Sequence, residues 1–229
     1  MGYDAKAKKW IVAIDGPSGA GKSTVAKLLA KRLGYVVLDT GAMYRAVAFR
    51  AKQTGICLED EERLSQLASS LQVTFLTRNG ELRVLCDGED VTESIRSPDI
   101  SSLASDISKK EGVRGALVRL QRQMGRAGGV ILEGRDIGTV VFPDAEAKFY
   151  LDADAEERAR RRYEELVKKG VKVTFQETLE DVIRRDRNDM TRAISPLRKA
   201  KDAVVIDSTH LSVEEVVKRM IQVIRQKEN

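Results

Sequence analysis

The sequence predicts an α/β fold: a parallel five-stranded sheet with helices on both faces, carrying one inserted antiparallel lobe. Three observations lead there. Short apolar runs alternate with helical patterns along the chain. The first apolar run, Trp10-Ile11-Val12-Ala13-Ile14, enters a glycine-rich loop from which a helix departs. One stretch, from Val73 to about Ile95, instead alternates apolar and polar residues, as a half-exposed antiparallel strand does.

The candidate strands are 10–15, 35–38, 130–133, 147–151 and 203–206, each a short apolar run followed by a polar or glycine-containing loop. Helical periodicity marks about 22–33, 42–54, 60–71, 113–126, 155–169, 175–189 and 213–226. Asp154 and Ser212 sit where N-caps belong, and Glu215 completes a capping box with Ser212. Within the alternating stretch, Arg78-Asn79-Gly80 signals a tight hairpin, and Asp87-Gly88-Glu89-Asp90 a second turn. Such an insert reads as a second lobe rather than a continuation of the sheet.

The chain has 229 residues, 42% of them hydrophobic, enough for one sizeable core with a small insertion. Lys+Arg number 40 and Asp+Glu 35, a net charge of +5. Many arginines fall in clusters at 158–162 and 184–192, which suits a phosphate-rich site better than a nucleic-acid face. Cys57 and Cys86 lie far apart without metal spacing and read as buried, reduced thiols. His210 is the sole histidine, so a multi-histidine metal site is excluded; it is expected in a turn. Residues 1–9 lack the apolar stretch of a signal peptide, and no run approaches the ~20 residues of a membrane span. These features predict a cytoplasmic protein without a membrane partner.

Chemistry enters with Gly16-Pro17-Ser18-Gly19-Ala20-Gly21-Lys22-Ser23, which fits G-x-x-x-x-G-K-[ST] between a strand and a helix. Glycines let successive N–H groups face one anion, and the helix N-terminus adds about half a positive charge. Lys22 is the residue that reaches the β- and γ-phosphates, and the Ser23 hydroxyl the one that ligates Mg²⁺. The predicted triphosphate loop is Gly16, Pro17, Ser18, Gly19, Ala20, Gly21, Lys22, Ser23 and Thr24.

Open parallel sheets bind ligands beyond the carboxyl ends of their strands. The second strand is followed by Asp39-Thr40-Gly41-Ala42-Met43-Tyr44-Arg45 and the third by Glu133-Gly134-Arg135-Asp136-Ile137-Gly138-Thr139. These loops are expected to converge with the phosphate loop. Arg45 and Arg135 then exceed what one nucleotide needs and match a second phosphate, held by planar forks. Glu133 is placed to orient Mg²⁺, with Asp39 as a second candidate. The basic stretch 158–162 reads as a lid that closes on ATP, a solvated face or a nucleic-acid contact. The cluster at 184–192 suits phosphate and sugar contacts or a surface ion-pair helix.

Three segments together resemble bacterial cytidylate kinases: Asp15 to Ser23, Leu38 to Arg45, and Glu133 to Asp144, which reads EGRDIGTVVFPD. The stretch 184–197 and Val204-Val205-Ile206-Asp207-Ser208-Thr209 resemble that family too, so the likeness covers nearly the whole chain from Trp10. It implies one nucleoside monophosphate kinase domain over 1–229, of the P-loop NTPase type. A monophosphate-binding insert at about 67–108 and a LID at about 157–172 lie within it. The implied reaction converts CMP, and dCMP, to the diphosphate with ATP and Mg²⁺. Thr40, Arg45 and Arg135 would meet the acceptor phosphate; Ser105, Arg114 and Asp136 would read cytosine; Tyr44, Arg185, Asp189 and Arg192 would serve the sugar and nearby groups. Lys22, Arg135, Arg161 and Arg185 would be catalytic, and Ser23 and Glu133 would hold the metal.

Against one member of that family, Glu133 replaces Asp, Thr40 replaces Ser, and Ser23 replaces Gly; the last restores a Mg²⁺-ligating hydroxyl. A uridylate-preferring kinase is the nearest alternative. A nucleotide switch lacks support, because no [NT]-K-x-D motif occurs, and an RNA-binding module is disfavoured by 5% aromatic content and interleaved charges. The expected assembly is a monomer.

Overall fold

The computed structural model describes residues 9–78 and 81–228. In chain order its elements are β1 (Ile11–Asp15), α1 (Lys22–Leu33), β2 (Val36–Asp39), α2 (Thr40–Gln53), α3 (Glu61–Ser70), β3 (Val73–Arg78), β4 (Glu81–Cys86), β5 (Glu89–Asp90), α4 (Pro98–Ile107), α5 (Glu111–Gly125), β6 (Val130–Gly134), β7 (Ala147–Asp152), α6 (Ala155–Lys168), α7 (Phe175–Thr191), β8 (Val204–Asp207) and α8 (Val213–Glu228). The chain forms two compact units. One takes the chain up to Val36, Gly125–Thr191 and Ser195 onward; the other takes Val37–Met124 and Arg192–Ile194.

Four of the five strands of the larger sheet, β6, β1, β7 and β8, belong to the first unit; the strand order of that sheet is β2-β6-β1-β7-β8. β1 pairs in parallel with β6 (Ile11 opposite Val130) and with β7 (Val12 opposite Ala147), and β7 with β8. Val12, Ala13 and Ile14 are wholly buried, as the unbroken apolar run requires of a strand covered on both faces. All five predicted strands are present within a residue or two of their expected bounds. β1 ends against Gly16, whose φ of 150° suits glycine; a Cβ there would lie 2.0 Å from the Leu151 carbonyl oxygen. Ser212 and Glu215 form the expected capping box: each backbone N–H bonds the other's side chain, at 2.8 and 3.3 Å. Asp154 does not cap α6 with its side chain; its own N–H instead donates to Thr209 Oγ1 at 3.0 Å. His210 lies in a turn, as expected.

The second unit pairs a three-stranded antiparallel sheet, β3-β4-β5, with α2 to α5. Val73 lies opposite Cys86 and Arg78 opposite Glu81, the register a two-residue connection demands. The predicted turn residues Asn79 and Gly80 lie outside the described residues. Val73 and Phe75 are buried while Thr74 and Leu76 are exposed, so the period-two pattern has one core face. Arg50 on α2 holds this sheet through the Cys86 carbonyl and Glu89, both at 2.9 Å. Cys86 is buried, but Cys57 is exposed, against expectation, because it follows the end of α2 in an open turn.

Among the elements that were not predicted are β5, α4 and one helical turn. α4 begins on Pro98 and buries Ile100, Ala104 and Ile107, packing on α2. A wide helical turn spans Ile137–Val141, where Val141 and Phe142 donate to carbonyls five residues back.

Candidate active site

Lys22 is the centre of the phosphate loop. It is buried, and its Nζ donates to the carbonyls of Gly16 (2.8 Å) and Pro17 (2.6 Å). Burial, reinforced by the nearby Arg135 charge, pushes its pKa down to about 7; Glu133, Asp189 and Asp15 pull the other way. Other loop carbonyls are also occupied: Ser18 accepts from Arg158 at 3.0 Å and Ala20 from Ser208 at 3.2 Å. Gly19 and Gly21 take φ of 80° and 88°. Gly21 offers α1 no side-chain cap, and the first turn of α1 holds no acidic residue. The partial positive charge of that helix end therefore faces no carboxylate of its own turn, which is the condition for binding an anion.

The strand-end carboxylate meets α1 directly: Ser23 Oγ donates to Glu133 Oε2 at 2.8 Å. Glu133 is buried and Ser23 exposed. A hydroxyl and a carboxylate this close, beside a phosphate loop, form the sparse oxygen set that suits Mg²⁺ completed by phosphates and water. Among the described residues no group of three or more His, Cys, Asp or Glu side chains is placed to hold a metal ion.

α7 supplies two carboxylates one turn apart. Asp189 accepts from Arg135 Nε at 2.7 Å. Asp186 accepts from Arg158 at 2.7 Å in a buried pair, and burial raises the Asp186 pKa. Arg185 pairs with Asp181 at 3.0 Å, and burial lowers its pKa. The basic stretch of α6 divides by direction. Arg158 points inward. Arg161 bonds the Ser208 carbonyl at 2.7 Å and lies 4.0 Å from the Cβ position of Gly21. Arg160 and Arg162 pair with glutamates of their own helix, Glu157 and Glu165.

Asp15 is a residue that sequence reading missed. Its carboxylate accepts from the N–H groups of Ile137 (2.8 Å) and Gly138 (2.7 Å), fixing the turn that follows Arg135 and Asp136. Asp136 is buried at the start of that turn. No local pattern marks this contact, because its partners are 122 and 123 residues apart.

Thr40, Tyr44, Arg45, Ser105, Arg114 and Arg192 belong to the second unit. Asp39 caps α2, accepting from Ala42 N at 2.8 Å, and pairs with Arg45 at 2.9 Å. Both carboxylate oxygens are engaged in these contacts, and the cap explains why α2 starts at Thr40. Arg45 Nε is buried without a hydrogen-bond partner, an orphan donor on the predicted phosphate ligand. Arg114 is buried, donates to the Ser108 carbonyl at 3.2 Å and stacks its guanidinium 5.5 Å from the Tyr44 ring centroid. Ser105 is half-buried, and its carbonyl accepts from Ser108 Oγ at 2.7 Å. Thr40 is buried and Arg192 half-buried.

The profile of the cytidylate kinase family matches residues 12–226. The chain belongs to the cytidylate kinase family. It is 58% identical over 218 residues to a cytidylate kinase of Geobacter sulfurreducens, covering 95% of this chain and 94% of that one. It is 48% identical over 220 residues to a cytidylate kinase of Bacillus subtilis, covering 96% and 98%. A solved shikimate kinase of Bacteroides thetaiotaomicron shares the fold at a TM-score of 0.50 and 10% identity, over 94% of this chain and 98% of that one. Every segment that carried the resemblance in the sequence falls within the residues matched by the cytidylate kinase profile.

Proposed function

We propose that this protein transfers the γ-phosphoryl group of ATP to CMP, giving CDP and ADP, and that dCMP is a further acceptor. The observation that carries this reading is the near-full-length identity to relatives named cytidylate kinase. The first unit supplies the donor chemistry. ATP phosphates lie on Gly16, Pro17, Ser18, Gly19, Ala20, Gly21, Lys22, Ser23 and Thr24. Ser23 and Glu133 would hold the Mg²⁺ that accompanies ATP, which when bound would supply charge neutralisation for the migrating group.

Lys22, Arg135, Arg161 and Arg185 stabilise the transferring phosphoryl group. The acceptor oxygen of a monophosphate is already ionised, so no general base is required; catalysis is positioning and charge. Lys22 rests on two carbonyls, and an arriving phosphate gives it anionic acceptors in their place. Arg135 rests on Asp189 in the same way. Thr40, Arg45 and Arg135 hold the CMP phosphate, and Tyr44, Arg185, Asp189 and Arg192 the sugar and its surroundings.

Ser105, Arg114 and Asp136 read the base. A carboxylate accepts from the cytosine amine, and arginine donates to the ring acceptors. Uracil reverses the pattern and sets oxygen against carboxylate, a mismatch worth roughly 1–3 kcal/mol. The enzyme is read as a cytoplasmic monomer with no nucleic-acid or membrane partner; among the described residues no helix is long and apolar enough to cross a membrane. The insert at 67–108 serves CMP, and the segment 157–172 acts as a lid over ATP.

The deciding assay is ADP release from ATP with CMP, dCMP, UMP or AMP as acceptor. CMP should give the highest kcat/KM. No release with CMP, or equal rates with UMP, would overturn the reading. Asp136→Asn should narrow the CMP/UMP ratio of kcat/KM.

A further inference from the structure

A helical turn leaves its first N–H groups without internal partners, and the residue at its start commonly answers with its own side chain, aspartate being among the best. At the turn Ile137–Val141 that residue is Asp136, yet its side chain makes no capping bond. The cap comes from another strand. Asp15, at the end of β1 and only 4% exposed, accepts from both Ile137 N and Gly138 N. The fit is close: a Cβ on Gly138 would lie 3.4 Å from Asp15 Oδ2 and 3.2 Å from Lys148.

We propose that Asp15 is a positioning residue for base selection: by capping the turn in place of Asp136, it keeps the Asp136 carboxylate from folding onto its own backbone. This rests on the reading of Asp136 given above. Without the Asp15 cap, the freed Ile137 and Gly138 N–H groups compete for the Asp136 carboxylate and draw it away from the cytosine amine. Asp15 touches neither substrate nor reacting atoms in this account. Its charge also acts on Lys22, but that effect is common to CMP and UMP and cancels in their ratio, and that makes the inference separable from a general role in catalysis or stability.

The test is a double-mutant cycle on the CMP/UMP ratio of kcat/KM, a ratio unaffected by the fraction of folded enzyme. Asp15→Asn keeps the shape and one acceptor. It should narrow the ratio by about fivefold or more, and in an Asp136→Asn background it should narrow it no further. Asp15→Glu provides a second variant. An unchanged ratio in Asp15→Asn overturns the inference, as does a loss that adds fully to that of Asp136→Asn. Failure of both Asp15 variants to fold also overturns it, because the residue would then be structural. If Asp136→Asn itself leaves the ratio unchanged, the reading of Asp136 is what fails, and the role of Asp15 falls with it.

Discussion

The hydroxyl of Ser23, at the start of α1, donates to the carboxylate of Glu133, at the end of β6, across 2.8 Å. This contact joins the phosphate loop to a strand end 110 residues later. If the pair holds Mg²⁺, Glu133→Gln should raise the Mg²⁺ concentration for half-maximal rate by about tenfold. Ser23→Ala should do likewise. Chelation should abolish turnover and added Mg²⁺ restore it. A Mg²⁺ titration checks this, and an unshifted midpoint in both variants would remove the pair from metal binding.

Gly16 is where the phosphate loop leaves β1, and its Cβ position lies inside the van der Waals envelope of the Leu151 carbonyl. Gly16→Ala should cost at least about 2 kcal/mol, combining backbone strain with a displaced strand. Urea unfolding at neutral pH measures it. A variant within 0.5 kcal/mol of wild type, the usual range of a surface change, would show that β7 yields without penalty.

Arg158 and Asp186 form a buried ion pair, and Arg158 also holds the Ser18 carbonyl of the phosphate loop. Asp186→Ala strands a buried guanidinium and should cost about 3–5 kcal/mol. Asp186→Asn keeps an acceptor and should cost clearly less. Because the freed arginine no longer fixes the loop, KM for ATP should rise more than KM for CMP. Equal stability of the two variants would argue that the pair contributes nothing beyond packing.

Burial pushes the Asp15 carboxyl up from 3.8 to about 6, despite two backbone N–H donors and Lys22, which pull it down; Asp136 adds to the rise. The folded protein therefore keeps this proton at a pH where the unfolded chain has lost it. The resulting stability is full below 3.8 and is lost as pH rises through 6. Relative to Asp15→Asn, wild type should lose on the order of 3 kcal/mol between pH 4 and pH 7. Paired denaturant curves at the two pH values check the sign. A wild type that gains on the variant over that range would contradict it.

Local pattern carried most of the architecture. The unbroken apolar run of β1 and the glycine-lysine loop after it are decided within a dozen residues, and both stand where expected. So does the Ser212–Glu215 box, whose chemistry is contained in four residues. α4 was hidden because serines interrupt its apolar stripe of Ile100, Ala104 and Ile107, leaving a pattern that resembles a loop. The pairs Arg135–Asp189 and Arg158–Asp186 join distant segments through tertiary structure, and spacing carries no trace of them. In α6 composition does not reveal how four arginines in five residues are used: a helix turns consecutive positions about 100° apart, and Arg158 reaches Asp186, Arg161 both Ser208 and Glu157, and Arg160 and Arg162 glutamates of their own helix.

β1 is synthesised ahead of its hydrogen-bonding neighbours, which begin at Val130 and Ala147. While the residues between are made, β1 waits without a mate, and Val37–Met124, the larger part of the second unit, emerges ahead of both neighbours. Pulse-labelled amide exchange during synthesis should therefore find Leu64 and Val84 protected before Val12 and Ala13.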